Sequence, residues 1–424
     1  MFSVFKKSLW TKELTSWYLY DFANSLISIN MIVYFSQWIV VDNHISDFWF
    51  SIPVILATIM LIFLSTHIGS IGDKKGTHFN ILLITSILTI ISVVALIITG
   101  RSISNNLGII LALVFFGFYQ LFYQLTFVPY NAFIKHICSK EEYGKVSGIG
   151  YTASNIGSIV GLLITLPLIN HSIGFFGSDR LAPLILGLAL FFIFSLPTYF
   201  VFRNKKFPKE TTELKSESIL KSFWKNLKES RKYPGVFPLL LSFYLFSDAI
   251  ATLTLYSAIY MQKVFLLPDE FKVKVFIVTI AGFAIGSFIG GILSDKYSHR
   301  KILSIALLLN AVSIFIIAFN KEVTFILPIF LLFGLTAGIV YASSRSYLDS
   351  LIPEKESGKF FGLYTFAERF ASVIGPAIWG ITILIFATLA PANYRIAAFV
   401  MGVLVFLGAL PFIRIRQAQK YRKD

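Results

Sequence analysis

Long apolar runs recur along this chain, each about the length of a bilayer crossing, and short charged stretches separate them. A spanning helix needs roughly 20 mostly apolar residues. Runs of that kind cover 17–40, 47–70, 79–99, 107–133, 146–170 and 181–202. After a basic stretch they resume at 237–262, 271–293, 301–319, 323–347, 358–388 and 393–413. Lipid offers the backbone no hydrogen-bond partners, so each run is predicted to be a helix that satisfies itself. The runs are too long and too uniformly apolar for the alternating strands of a membrane barrel. The pattern predicts an all-α membrane protein of about twelve transmembrane helices.

Composition agrees. Of 424 residues, 56% are apolar and 14% are charged, against roughly a quarter charged in soluble domains. The single cysteine, Cys138, excludes a disulfide framework and a cysteine metal cage within one chain. The six histidines show no metal-ligand spacing, and no Gly-x-x-x-x-Gly-Lys-Ser/Thr loop is present, so no cofactor or bound nucleotide is expected. The first apolar run has full spanning length after a short basic segment, and reads as a spanning helix rather than a cleavable leader.

The net charge of +15 raises nucleic acid as a partner, but its distribution fits a membrane better. Lys and Arg concentrate in cytoplasmic loops. With the N-terminus placed inside, 28 of the 37 basic residues fall on that side. The opposite loops hold seven, and Arg345 and Arg369 lie inside predicted spans. Both termini are therefore expected in the cytoplasm, in a bacterial inner membrane. Ten of the inside charges lie between Arg203 and Lys232, where Ile219, Phe223, Trp224 and Leu227 mark an amphipathic stretch. It reads as an interfacial helix attracted to anionic lipid, or as a solvated linker.

The chain repeats itself. Residues 69–81 read GSIGDKKGTHFNI and residues 291–303 read GILSDKYSHRKIL. Gly144-Lys145 with Gly148 corresponds to Gly358-Lys359 with Gly362, an offset of 214 residues. Asp21 and Asp248 precede the two Gly-Asp segments at similar distances. This gives an N-terminal six-helix bundle (1–202), a basic linker (203–236) and a C-terminal six-helix bundle with a basic tail (237–424). Two related halves around a central site suit a carrier that opens to one side at a time.

The Gly69…Asp73-Lys74-Lys75-Gly76 segment resembles the signature loop of the major facilitator superfamily. More narrowly, three stretches resemble its vacuole-effluxer-like branch, relatives of fungal autophagy-related vacuolar amino-acid effluxers. They are Trp17-Tyr-Leu-Tyr-Asp21-Phe-Ala-Asn24-Ser25; Tyr130-Asn131-Ala132 with Gly144-Lys-Val-Ser-Gly148; and Ser344-Arg345-Ser346 with Phe361-Gly362-Leu363-Tyr364…Gly375-Pro376. The resemblance implies the major facilitator fold and a gating role for Gly69, Asp73, Lys74 and Gly76. There the Asp is taken to cap a neighbouring helix and hold the outward-open state. The second copy, with Asp295 and Arg300, departs from the pattern at Ser298.

Ionisable groups inside a bilayer cost roughly 2.5–3.5 kcal/mol each on insertion scales, so they usually face a cavity. Asp21, Asp248, Arg345, Glu368 and Arg369 are such groups, accompanied by Asn24, Asn131 and Asn155. The two aspartates are candidates for proton coupling or for a substrate ammonium; Asp21, read about one turn into its helix, is alternatively a helix cap. The 214-residue offset places Arg345 at the position of Asn131 and Arg369 at that of Asn155. Arginine presents a donor fork suited to a carboxylate, while pairing of Arg345 with Glu368 is the structural alternative. Tyr119, Gln120, Tyr123 and Gln124 recur at helical spacing and form a candidate cavity wall, or helix-to-helix hydrogen bonds. Gly148, Gly157, Gly161, Gly282, Gly286 and Gly290 suggest close helix packing, and Gly375-Pro376 a bend.

These residues point to a monomeric secondary transporter, not an enzyme, that moves a small polar solute such as an amino acid or another carboxylate-bearing metabolite. A proton is the expected coupling ion; membrane lipids are expected partners and nucleic acid is not. A proton-coupled exporter of drugs or siderophores is the alternative within the class, although helix five lacks the Gly-Pro signature common in drug antiporters. A membrane-embedded lipid-modifying enzyme is the alternative outside it, and the clustered acids or histidines it would need are absent from the sequence.

Overall fold

Apolar runs of this length have one low-energy form in lipid, and the computed structural model shows it throughout. It describes residues 9–103, 106–139, 142–170, 177, 179–205, 207, 219–353 and 356–414. Among these the chain is helical, without strands. The first half contains α1 (Lys12–Asn30), α2 (Asp47–Lys75), α3 (His78–Ser102), α4 (Asn106–Ile137), α5 (Tyr143–Thr165), the short α6 (Pro167–Asn170) and α7 (Ala182–Phe202). Next come α8 (Ile219–Ser230), α9 (Val236–Phe265), α10 (Asp269–Lys296), α11 (His299–Phe319), α12 (Ile326–Leu351), α13 (Ser357–Phe370), α14 (Ile374–Ile385) and α15 (Ala392–Arg414).

Eleven helical segments among the described residues are long and apolar enough to cross a membrane. The expected twelfth, 358–388, is not one helix. It divides into α13, of 14 residues, and α14, of 12, around a turn at 371–373. Pro376 has no N–H to donate and its ring crowds the carbonyl four residues back. The expected bend is thus a full interruption. The helix starts also shift. Thr11 caps α1 by accepting from the Leu14 N–H at 3.2 Å, so α1 begins at Lys12, and Asp21 lies deeper than one turn from its start. Beyond Asn30 the segment continues through π-helical turns at Met31–Phe35 and Trp38–Asp42.

The chain forms two compact units. One comprises Met1–Ile45 and Leu56–Glu213; the other comprises Ser46–Ile55 and Leu214–Asp424. The first turns of α2 therefore belong with the second unit. In the first unit the main helix pairings are α3 with α4 and α1 with α5 and α7; in the second, α10 with α12 and α15 with α9 and α11. Glycines permit the closest of these. A Cβ on Gly286 of α10 would stand 1.9 Å from the Leu335 carbonyl oxygen of α12, and one on Gly157 of α5 2.4 Å from the Phe22 oxygen of α1. Small residues let backbones touch where lipid provides no hydrophobic drive for association. Gly148, expected on such a face, meets open space instead.

In the linker, α8 presents an exposed Trp224 and is pinned at its end by an ion pair from Lys359 to Glu229, with Glu356 3.2 Å from the same ammonium. The hydrogen bond from Lys359 holds the Glu229 carboxyl below its ordinary range.

Gly286→Ala should cost about 1–3 kcal/mol through overpacking, whereas Gly148→Ala should be near neutral. Thermal unfolding of detergent-purified protein, followed by size-exclusion chromatography, compares the two.

Candidate functional site

Serine and threonine inside a helix usually return their hydroxyl to a carbonyl one turn back, which leaves few polar atoms unsatisfied. Thr85, Ser86, Thr89 and Ser92 do so along α3. The buried exceptions mark candidate sites. Asn24 is fully buried with neither amide atom partnered, and Asp248 Oδ1 and Thr252 Oγ1 are likewise orphaned.

In the first unit, Asp21 of α1 is half-buried beside Gly150 of α5, where a Cβ would lie 3.4 Å from its Oδ2. The Tyr130 hydroxyl faces both this carboxylate and the Trp17 carbonyl, the latter at 3.3 Å. Trp17 and Tyr130 stack with ring centres 4.4 Å apart, and the indole N–H donates to the Tyr130 carbonyl at 3.0 Å. The predicted cavity wall on α4 proves to be part of an aromatic ladder: Tyr119 stacks on Tyr123 at 5.4 Å, and Tyr123 meets Phe127 edge-on. Tyr119 is buried; Gln120 and Gln124 are partly exposed. Asn131 is exposed, and Asn155 donates to the Tyr151 carbonyl of its own helix at 3.0 Å.

In the second unit, Asp248 and Thr252 lie one turn apart on α9, 2% and 1% exposed. Both face Gly375 in the first turn of α14, whose N–H points at the Asp248 carboxylate. The positive end of a helix dipole thus meets an acid at a broken helix, the arrangement that carriers use for charged cargo and coupling ions. No lysine or arginine makes an ion pair with Asp248 among the described residues. Nearby, Tyr364 of α13 stacks on Phe243 at 3.6 Å and bonds Ser344 of α12 at 2.8 Å. It lies within electrostatic reach of Glu368 and Arg345, both exposed. The anticipated Arg345–Glu368 ion pair is not formed among the described residues. The side chain of Arg369 lies outside them.

The Gly69–Gly76 segment is helical rather than a loop as far as Lys75, and Gly76 closes it at φ +66°. Asp73 contacts His78 at the start of α3 (3.0 Å), within its own unit, while Lys74 points outward. Gly69 packs near Val128 of α4. In the second copy, Asp295 is exposed at the end of α10, and Arg300 donates to the Phe412 carbonyl at 2.8 Å, tying α11 to α15. Sequence reasoning passed over Asp47, fully buried at the start of α2. It is the first residue of the predicted span 47–70, and nothing in the sequence marks it as buried.

Two compact helical units rich in membrane-length apolar helices, the second with a broken helix at a buried acid, make this an integral membrane protein. The profile of the Major Facilitator Superfamily matches residues 18–281 and 267–424. The chain belongs to that superfamily and is a membrane transporter. It is 22% identical over 413 residues to an uncharacterized MFS-type transporter, YxiO, of Bacillus subtilis, covering 93% of this chain and 94% of the relative. It is also similar to Autophagy-related protein 22-2 of Neosartorya fischeri, at 31% over 221 residues, which span 48% of this chain and 35% of that protein. Among solved structures it is similar to a mutant of the nucleoside transporter NupG (TM-score 0.75, 10% identity, 94% and 99% of the two chains). A bacterial homologue of the lysosomal transporter Spinster, inward-facing and occupied, gives a TM-score of 0.68 at 15% identity, covering 95% of each. These transporters confirm the expected fold, and the family assignment supports the expectation of a non-enzyme.

A Cβ on Gly375 would stand 2.1 Å from Thr252 Oγ1 and 2.6 Å from Asp248 Oδ1. Gly375→Ala should therefore lower the unfolding temperature by several degrees, at a cost of about 1–3 kcal/mol. Adding Thr252→Ala should recover part of that loss in the same melting measurement.

Proposed function

We propose that this transporter moves a small solute bearing a carboxylate, with an amino acid as the best fit, by alternating access coupled to protons. The observation that carries this reading is the Arg345–Tyr364–Glu368 arrangement. A guanidinium and a carboxylate both lie within electrostatic reach of one tyrosine, both are exposed, and no ion pair joins them among the described residues. Such a pair complements a zwitterion: the arginine fork takes the carboxylate in a charge-assisted bond and the glutamate takes the ammonium. Arg369 follows Glu368 on α13 and is proposed to add positive charge on the same helix. Asn131 and Asn155, at the corresponding positions of the first half, are proposed as uncharged partners to the substrate.

Asp248 supports the coupling role. A buried carboxylate with an orphaned oxygen and no cationic neighbour has room in its chemistry for one more positive charge. Asp21 is proposed as its counterpart. The charge distribution supports an inner-membrane setting with cytoplasmic termini.

Uptake of a labelled amino-acid panel into proteoliposomes tests the reading. Arg345→Gln should weaken the apparent affinity for the transported amino acid about tenfold or more, with folded yield unchanged. Loss of folded protein would show a structural arginine instead. In the same vesicles Asp248→Asn should abolish the dependence of accumulation on an imposed pH gradient while exchange persists. A mutant that still follows the gradient would remove Asp248 from coupling.

A further inference from the structure

Asp47 is 0% exposed, yet it is satisfied by two donors from distant helices. The Trp379 indole N–H of α14 donates to Oδ1 at 3.1 Å, and the Tyr394 hydroxyl of α15 to Oδ2 at 2.7 Å. One turn further along α2, Ser51 Oγ stands 2.6 Å from the Tyr256 hydroxyl of α9 and 2.9 Å from the Pro376 carbonyl of α14. Tyr256 stacks on Trp379 at 4.9 Å, which closes the pocket from the side. The backbones touch as well: a Cβ on Gly380 would lie 2.8 Å from Phe48 Cα and 2.9 Å from Ser51 Oγ.

Three helices of the second unit thus grip the first two turns of α2, while the same helix from Leu56 onward belongs to the first unit. Among the described residues no lysine or arginine pairs with Asp47. The grip is a hydrogen-bonded hook in an aromatic pocket. Hydrogen bonds weaken steeply with distance and angle, so withdrawal of α2 would break both Asp47 bonds together. That gives two discrete states rather than a gradual slide. Directly beneath the hook, Pro376 and Gly375 begin the broken-helix segment that faces Asp248.

We propose that the Asp47 pocket is a latch, which holds the start of α2 against α9, α14 and α15 in one state of the transport cycle and releases it in the other. The latch rests on the carrier reading above and adds a positioning residue, Asp47, remote from the Arg345–Glu368 pair in sequence and bonded to neither. It makes α2 a two-ended element, with the latch at its start and the Gly69–Gly76 segment at its end.

Two measurements test it. In a Cys138→Ser background, Ser51→Cys is reacted with a fluorescent maleimide in detergent, and the rate reports opening of the pocket. Asp47→Asn, or the milder Tyr394→Phe, should raise that rate about tenfold. Unchanged rates in both would overturn the latch. Second, Ser51→Cys with Gly380→Cys brings two thiols within disulfide reach. With a labelled amino-acid mixture in proteoliposomes, the oxidised pair should carry no flux and the reduced pair should recover it. Equal flux in both forms would overturn the latch. Wild-type protein that carries none of the mixture would overturn the amino-acid reading instead, and flux in neither form of the pair would leave the labelling rates to decide the latch.

Discussion

Hydrocarbon accepts and donates no hydrogen bonds, and the architecture follows from that one constraint. Among the described residues most backbone groups lie inside helices, and many hydroxyls fold back on their own carbonyls. Gln37 and Asn30 bond one turn back in the same way, at 2.6 and 2.7 Å. Against so economical a background, a polar atom served from another helix, or not served at all, stands out. Asp47 is the first kind, and Asp248, Thr252 and Asn24 are the second.

The repeated stretches of the sequence pair positions whose packing can be compared. At the 214-residue offset, Tyr130 corresponds to Ser344 and Gly150 to Tyr364. In the first unit the ring comes from α4, stacking on Trp17 above a glycine on α5; in the second the ring comes from α13, and its hydroxyl bonds a serine on α12. Large and small have exchanged places between facing helices. A close-packed interior tolerates such a swap because the volume is kept, whereas two rings or two small residues would overfill or empty the same space. The units diverge further where α5 runs unbroken and its counterpart divides into α13 and α14. That division places a helix N-terminus against Asp248.

These polar groups sit in different surroundings. Arg345 and Glu368 are exposed and form no ion pair among the described residues, while Tyr364 near them is buried and bonded to Ser344. The Asp47 pocket is closed and fully bonded, which suits a holding device. Asp248 lies between these extremes, with one donor and one orphaned oxygen.

Hydropathy by itself determined the helical class and, apart from the divided 358–388 run, the apolar helices, because the cost of exposing polar backbone to lipid is local and additive along the chain. The repeat and its offset were legible too, and they located the Asn131–Arg345 and Asn155–Arg369 contrast before any geometry was known. Only the tertiary structure decided the fate of individual polar groups. Asp47 opens a predicted span with no partner in view, yet its donors lie 332 and 347 residues away. Pairing of Arg345 with Glu368 was the structural alternative to substrate recognition, and among the described residues no such ion pair forms. Gly375-Pro376 promised a bend and produced a break with an acid at its mouth. Hydrogen-bond partners in a helical membrane protein come from neighbouring helices, and which helices become neighbours depends on backbone approach at positions such as Gly286 and Gly157. One-dimensional periodicity carries no record of that approach.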